Sequence, residues 1–248
     1  MTAEPILLEV ADLRAGYTAG SPVITDVAFA VPAGRMISVL GPNGGGKTTL
    51  FRALLGEAPQ RSGSVAIGGR IAYVPQTERY RLDFPVSALD VVLMGTYASR
   101  PWYRPLGRAL RDRATAALVR VGLADRSGDR FGGLSGGQRQ RVLIARALVQ
   151  DAAVILLDEP LTGVDHPSAE QIGAILRELR DDGRAILVSS HDIESAREFD
   201  SVLCINGRQV YFGAPGGVTP EVLRDTYGGE IVILEEGREA IVVRHHSH

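Results

Sequence analysis

Gly41-Pro42-Asn43-Gly44-Gly45-Gly46-Lys47-Thr48 is the stretch on which the reading of this chain turns. Two glycines separated by four residues are followed at once by Lys and Thr, the P-loop pattern. An apolar strand, Met36 to Leu40, is predicted before it, and a helix from Thr48 to Leu55, stopping at Gly56, is predicted after it. The glycines let the main chain wrap closely around oxygen atoms with its N–H groups pointing inward. The positive end of the following helix adds to that field. Such a loop cradles a polyphosphate, with Lys47 bridging the terminal phosphates and the Thr48 hydroxyl holding Mg²⁺.

Toward the N-terminus, Ile6 to Leu13 and Val23 to Val31 read as strands, with Pro32-Ala33-Gly34 separating the second from Met36 to Leu40. Two more short strands, Ser64 to Ile67 and Arg70 to Val74, are split by Gly68-Gly69. From Val86 to Val149 the pattern is mainly helical; Leu110, Ala114, Ala117, Leu118 and Val121 share one helix face. Strand and helix then alternate: Val154 to Leu157, an amphipathic helix from Ser168 to Arg180, Ala185 to Ser189, a helix from Asp192 to Phe199, and Ser201 to Ile205. Alternation of this kind implies an α/β fold with a largely parallel sheet and helices on its faces. The block from 86 to 149 reads as an inserted helical lobe.

The run Val154-Ile155-Leu156-Leu157-Asp158-Glu159 is an apolar strand ending in two acids. A buried strand delivers its last residues to the sheet edge where ligands bind in such folds. Neighbours on a strand point opposite ways, so one acid can serve a metal while the other faces an attacking water. Asp158 is the expected support for Mg²⁺, through water, and Glu159 the expected general base. A second glycine-rich segment, Leu134-Ser135-Gly136-Gly137-Gln138, precedes the helix Arg139 to Gln150. By itself it is a flexible cap; at a helix start it is also a ready anion cradle.

Composition narrows the classes. Lys plus Arg total 27 against 29 Asp plus Glu in 248 residues, a net charge of −2 that gives no case for nucleic-acid binding. The arginines between Arg100 and Arg113 read as a solvated helix face. Cys204, the single cysteine, allows no internal disulfide and sits in an apolar run, as a small core residue does. No apolar stretch approaches the ~18 residues of a spanning helix, and Met1 to Pro5 lacks the pattern of a signal peptide. The expectation is a cytosolic chain, for which any membrane work would need a partner chain.

With Gly41 to Thr48, Leu134 to Gln138 and Asp158-Glu159 in this order, the sequence resembles the ABC ATPase family over nearly its whole length. The resemblance implies a P-loop NTPase (RecA-like) core with an N-terminal antiparallel β-subdomain and an inserted α-helical subdomain. Residues 1–248 would then form one domain, 1–85 and 150–248 its core and 86–149 the helical part. It implies a head-to-tail pair, a homodimer or two related ATPase subunits. ATP would sit between the P-loop of one subunit, Gly41 to Thr48 with Thr49, and the signature motif of the other. There Ser135 and Gly137, flanked by Gly136 and Gln138, would contact the γ-phosphate. Gln76 looks like the Q-loop glutamine, which contacts Mg²⁺ or the water and senses the membrane partner. His191 looks like the switch histidine on the γ-phosphate, Asp165 like the D-loop aspartate, and Tyr17 like the aromatic that stacks on adenine. Lys47, Gln76, Glu159 and His191 are thus the expected catalytic set, and Thr48, Gln76 and Asp158 the expected Mg²⁺ set. Gly45 replaces the serine of many members; the change removes no charged group.

Leu161-Thr162-Gly163-Val164-Asp165 departs from the commoner Ser-Ala-Leu-Asp form of the D-loop and is similar to that of manganese, zinc and iron importers. Asp83-Phe84-Pro85-Val86, Asp90 to Gly95, Phe212 to Pro215 and Arg224 to Gly228 resemble the same subgroup. This likeness implies a separate membrane permease, an extracytoplasmic substrate-binding protein, and a place on the cytoplasmic face of the cell membrane. Iron-chelate or haem cargo, and export, are the alternatives within transport. A soluble ABC protein of DNA repair or translation would carry tandem cassettes or long coiled-coil insertions, and this chain has neither. A nucleotide-dependent module without catalysis is opposed by the intact Lys47, Asp158, Glu159 and His191. His245, His246 and His248 read as a mobile tail, because a floppy terminus has no surrounding groups to orient the rings on a metal.

Overall fold

Apolar alternation near the N-terminus produces two long paired strands, β1 (Ile6–Thr18) and β2 (Ser21–Pro32). They belong to a computed structural model that describes residues 4–76, 83–97, 107–228, 231–233 and 240–242. The chain continues through β3 (Met36–Leu40), α1 (Lys47–Leu54), β4 (Gln60–Ile67), β5 (Ile71–Val74), α2 (Ala88–Met94), α3 (Arg108–Arg120) and α4 (Gly136–Leu148). Next come β6 (Val154–Asp158), α5 (His166–Asp181), β7 (Ala185–Ser190), β8 (Ser201–Ile205), β9 (Gln209–Gly213), α6 (Pro220–Tyr227), β10 (Ile231–Ile233) and β11 (Ala240–Val242). The chain divides into two units, Met1–Gly68 with Leu187–His248, and Gly69–Ile186.

In the first unit β1 pairs antiparallel with β2 and with β4, in the order β2-β1-β4. This is the antiparallel β-subdomain expected from the sequence. Its inward face changes register midway: Leu8 and Val10 are buried, then Leu13 and Ala15. The step occurs at Asp12, whose φ of 50° inserts a bulge and shifts the pairing with both neighbours. Asp tolerates the left-handed conformation, and one extra residue moves every later side chain to the opposite face. The second sheet of this unit is mixed. β3 runs parallel to β8, with Leu40 opposite Cys204, and β9 returns antiparallel to β8. All five residues of β3 are buried, which is why it reads as a continuous apolar run. Leu40, Val202, Cys204 and Ala196 form a core patch that Ile193, Val210, Tyr211, Val218 and Val222 cover.

In the second unit β5 and β6 pair in parallel, Ile71 opposite Val154 through Val74 opposite Leu157. β6 is buried along its full length. Helices α2 and α4 start with matched caps. Ser87 and Asp90 satisfy each other's main-chain N–H at the start of α2, and Ser135 and Gln138 do the same for α4. Those hydrogen bonds from Ser87 hold the Asp90 carboxyl below its ordinary value. Arg120 of α3 reaches Glu178 of α5 at 2.7 Å and also pairs with Asp182. The first two residues of β7 belong to this unit and the rest to the other.

The predicted helix from Asp192 to Phe199 is corrected. Only Ser195–Glu198 are helical, as a single 3₁₀ segment after a turn at 193–194. The Asp192 carboxylate accepts from Glu194 N–H at 2.9 Å, and the Ser190 hydroxyl accepts from Asp192 N–H at 2.9 Å. Short polar side chains that capture nearby main-chain donors compete with helix formation. The expectation for His245, His246 and His248 lies outside the described residues. Among the described residues no helix is long and apolar enough to cross a membrane.

Candidate active site

The glycine loop leaves β3 at Leu40 and enters α1 at Lys47. Gly44 has φ 80° and Gly46 φ 106°, conformations closed to most side chains. Behind the loop there is no room for a Cβ: at Gly46 it would lie 2.3 Å from Ile24 Cγ2, and at Gly41 2.2 Å from the Ile205 carbonyl oxygen. Gly45 N–H donates to the Pro42 carbonyl at 3.0 Å, and its own carbonyl accepts from Gly207 N–H at 2.9 Å. Lys47 is only 6% exposed, and its Nζ donates to the Gly41 carbonyl at 2.7 Å and to that of Pro42 at 3.2 Å. Its ammonium is therefore drawn back across its own loop. No side chain caps α1, because Gly46 occupies that position.

Tyr17, near the end of β1, leans over the start of α1. Its hydroxyl lies 3.3 Å from Thr49 Oγ1, and Arg52 sits above its ring, 5.7 Å from the centroid. Tyr17 is still 44% exposed. His191, exposed, follows the last residue of β7. The first unit thus brings Tyr17 and Gly41 to Thr49 into one neighbourhood and carries His191 on a separate turn.

The second unit holds the acids. Asp158 ends β6 at 1% exposure, and Tyr73 Oη donates to its Oδ2 at 3.0 Å. The expected strand alternation between Asp158 and Glu159 is corrected: Glu159 lies just beyond β6 with φ 47°. A left-handed turn, not the pleat, separates the two carboxylates, and Thr162 Oγ1 donates to Glu159 Oε2 at 3.2 Å. A non-glycine residue held in this region stores strain of about 1–3 kcal/mol, a cost that clusters at functional sites. Gln76 is half-buried two residues beyond β5.

Ser135 Oγ accepts from Gln138 N–H at 3.2 Å, while Gln138 Oε1 accepts from Ser135 N–H at 2.9 Å. Gly136 and Gly137 form the first turn of α4. A Cβ at Gly137 would come within 2.4 Å of Ser168 Cβ and 3.3 Å of Val164 Cγ1. The start of α4 is therefore pressed against the start of α5. Asp165 caps α5, accepting from Ser168 N–H at 3.2 Å. Those hydrogen bonds from Ser168, with Arg141 nearby, hold its carboxyl below the ordinary range. Tyr73 and Gly207 escape a reading of the sequence. Each acts on a residue far along the chain, and the only local signal is a tyrosine inside a short apolar strand and an Asn-Gly turn.

Residues 24–162, which run from β2 past the acid pair, match the model of the family described as ABC transporter. The chain belongs to the ABC transporter family. Within it this ABC subunit is 41% identical over 225 residues to the manganese transport system ATP-binding protein MntB of Bacillus subtilis, covering 87% of this chain and 90% of that one. It is 39% identical over 241 residues to the zinc transport system ATP-binding protein TroB of Treponema pallidum, covering 93% and 90%. Among solved structures, an ABC transporter provisionally assigned to the metal-chelate type, in an inward-facing conformation, superposes with a TM-score of 0.82 at 29% identity, covering 89% of this chain and 88% of that chain. ATP-binding subunits of ABC transporters hydrolyse ATP, and this ABC subunit is an ATPase.

Proposed function

We propose that the chain powers uptake of a divalent metal ion, manganese, zinc or iron, through a separate membrane permease. The observation that carries the ATP site is the Lys47 ammonium, held over a glycine loop that has no space for a side chain behind it. Incoming phosphate oxygens offer that ammonium a better partner than two carbonyls, because a full negative charge attracts a cation more strongly than a neutral dipole does. Gly41 to Gly46 and the start of α1, Lys47 to Thr49, would surround the triphosphate. Tyr17 would stack on adenine.

The donors fit a hard, oxygen-seeking cation: the Thr48 hydroxyl, the buried Asp158 carboxylate steadied by Tyr73, and the Gln76 amide. These residues would hold Mg²⁺, which when bound neutralises charge on the transferred phosphoryl group. Glu159 would orient a water and take its proton, and His191 would hydrogen-bond the γ-phosphate. Ser135, Gly136, Gly137 and Gln138 would close over the γ-phosphate of a second copy or a related subunit, with Asp165 linking the two sites. Residues 86–149 would act as the helical subdomain carrying that signature.

The likeness to manganese and zinc system proteins supports the cargo class and, with it, a permease, an extracytoplasmic binding protein and a place at the cytoplasmic face of the membrane. Among the described residues no cluster of three or more His, Cys, Asp or Glu is placed to hold a metal ion. Glu159→Gln is expected to keep ATP binding, lower kcat about 10²- to 10⁴-fold, and accumulate a closed dimer. Unchanged turnover would remove Glu159 from its role. For the cargo, co-expression with a permease of the manganese and zinc importer type from the same organism, in a host lacking its own such importers, is expected to restore uptake of labelled metal. Transport of an iron chelate instead, or efflux, overturns the cargo assignment.

A further inference from the structure

The chain between β6 and α5 is a run of short turns, each closed by its own hydrogen bond. Glu159 lies just past β6 at φ 47° and is followed by the buried Pro160. Thr162 N–H donates back to the Glu159 carbonyl at 3.3 Å. Val164 N–H donates to the Leu161 carbonyl, also at 3.3 Å, around Gly163 at φ 71°. Asp165 then caps α5. The first of these turns carries a second bond, between side chains: Thr162 Oγ1 donates to Glu159 Oε2 at 3.2 Å. Main chain and side chain thus join the same two residues.

Thr162 is exposed, so water competes for its hydroxyl proton and the bond adds little to folding stability. Its value lies in direction. Threonine is β-branched and stiff about its first side-chain torsion, whereas glutamate is long and loses much rotamer freedom when it is held. The main chain of Thr162 is also anchored on both sides. Toward the N-terminus it closes the Glu159 turn. Toward the C-terminus Val164 and Ser168 press on the start of α4, where a Cβ on Gly137 would meet them at 3.3 and 2.4 Å. A short, stiff donor on an anchored chain therefore holds a long, loose acceptor. A carboxylate has about four acceptor positions, so one bond from Thr162 leaves it able to receive a proton from water.

We propose that the Thr162 hydroxyl is a positioning group that aims the Glu159 carboxylate at the attacking water. The proposal rests on the reading of Glu159 as general base. Thr162 touches no reacting atom in this role; it acts only through Glu159.

The test is ATPase kinetics on the full-length chain for wild type, Thr162→Val, Thr162→Ser, Glu159→Gln and the double variant Glu159→Gln with Thr162→Val. Single-turnover measurements with labelled ATP serve for the slow variants. Thr162→Val fills the same space without the donor. It is expected to lower kcat about tenfold, with KM for ATP within about twofold of wild type, the pattern of an interaction made in the transition state. Thr162→Ser keeps the donor and should recover most of the rate. In the Glu159→Gln background Thr162→Val should change turnover less than about twofold, because the carboxylate it serves is gone. That double variant should still accumulate the closed dimer on gel filtration. Wild-type kcat in Thr162→Val, a Thr162→Ser rate as low as that of Thr162→Val, the full loss repeated in the Glu159→Gln background, or a double variant that stays monomeric each overturns the proposal and leaves Glu159 in its role. Should Thr162→Val resist purification, Thr162→Ala decides by the same criteria. Unchanged turnover in Glu159→Gln overturns the general-base reading, and the proposal with it.

Discussion

Two glycine-rich segments of this chain open onto helices, and they are built differently. The start of α1 has left-handed Gly46 in the cap position, no capping side chain, and a buried lysine folded across the turn. The start of α4 has Ser135 in extended conformation, a reciprocal cap with Gln138, and two glycines already inside the helix. The cap at α4 satisfies two main-chain donors from within the chain. At α1 the loop's shape is set from behind, by Ile24 and Ile205, and its cation is parked on its own carbonyls. Similar composition therefore yields, in one place, a loop that only glycine can form, and in the other a helix end that satisfies its own main-chain donors.

This contrast can be broken at several points. The largest effect is expected from Lys47→Ala, which removes the cation from the seat and should lower kcat/KM for ATP about 10²- to 10³-fold, measured by coupled phosphate release. Gly46→Ala forces a Cβ into Ile24 at a backbone angle alanine avoids. A loss of about 2–4 kcal/mol in urea unfolding, together with lost nucleotide binding, is the expected outcome. Gly137→Ala should cost about 1–3 kcal/mol by overpacking against Ser168, while monomer affinity for fluorescent ATP stays at the wild-type value. Adding Ser168→Gly should recover most of that stability and sharpen the distinction between the two segments. In urea unfolding of the monomer Ser135→Ala should cost about 1 kcal/mol, the loss of its cap.

The smallest effect concerns Asp165 and pH. Its carboxyl is held below the ordinary range by Ser168 and then by Arg141, so its contribution is fully present above the unfolded-state value and disappears as pH falls through the lower native one. The Tm difference between wild type and Asp165→Asn should stay constant from neutrality to a pH of about 4 and shrink below it.

Legibility in the sequence followed burial. β3, β6 and β8 were readable to within a residue because strands buried on both faces are unbroken apolar runs. The α/β class followed from their alternation with helices. Less visible was the reach of β1 and β2, whose bulge depends on two aspartates, Asp12 and Asp26, adopting positive φ against neighbouring strands. The segment after His191 misled, because the apolar positions there suit a helix while Asp192 and Ser190 divert its first amides. At the site, the positions of the glycine loop, the acids and the signature could be named from spacing. The left-handed turn at Glu159, the Tyr73 contact to Asp158 and the approach of Gly137 to Ser168 are long-range or conformational, and no local pattern announces them.

Cys204 has a practical corollary. It is the single thiol of the chain, wholly enclosed, with burial pushing its pKa to about 11. Maleimide or a similar alkylating dye should find almost no thiolate in the native fold, so each labelling event registers an excursion in which α6 lifts away. The molecule comes equipped with its own clock for local opening, readable without introducing any foreign residue.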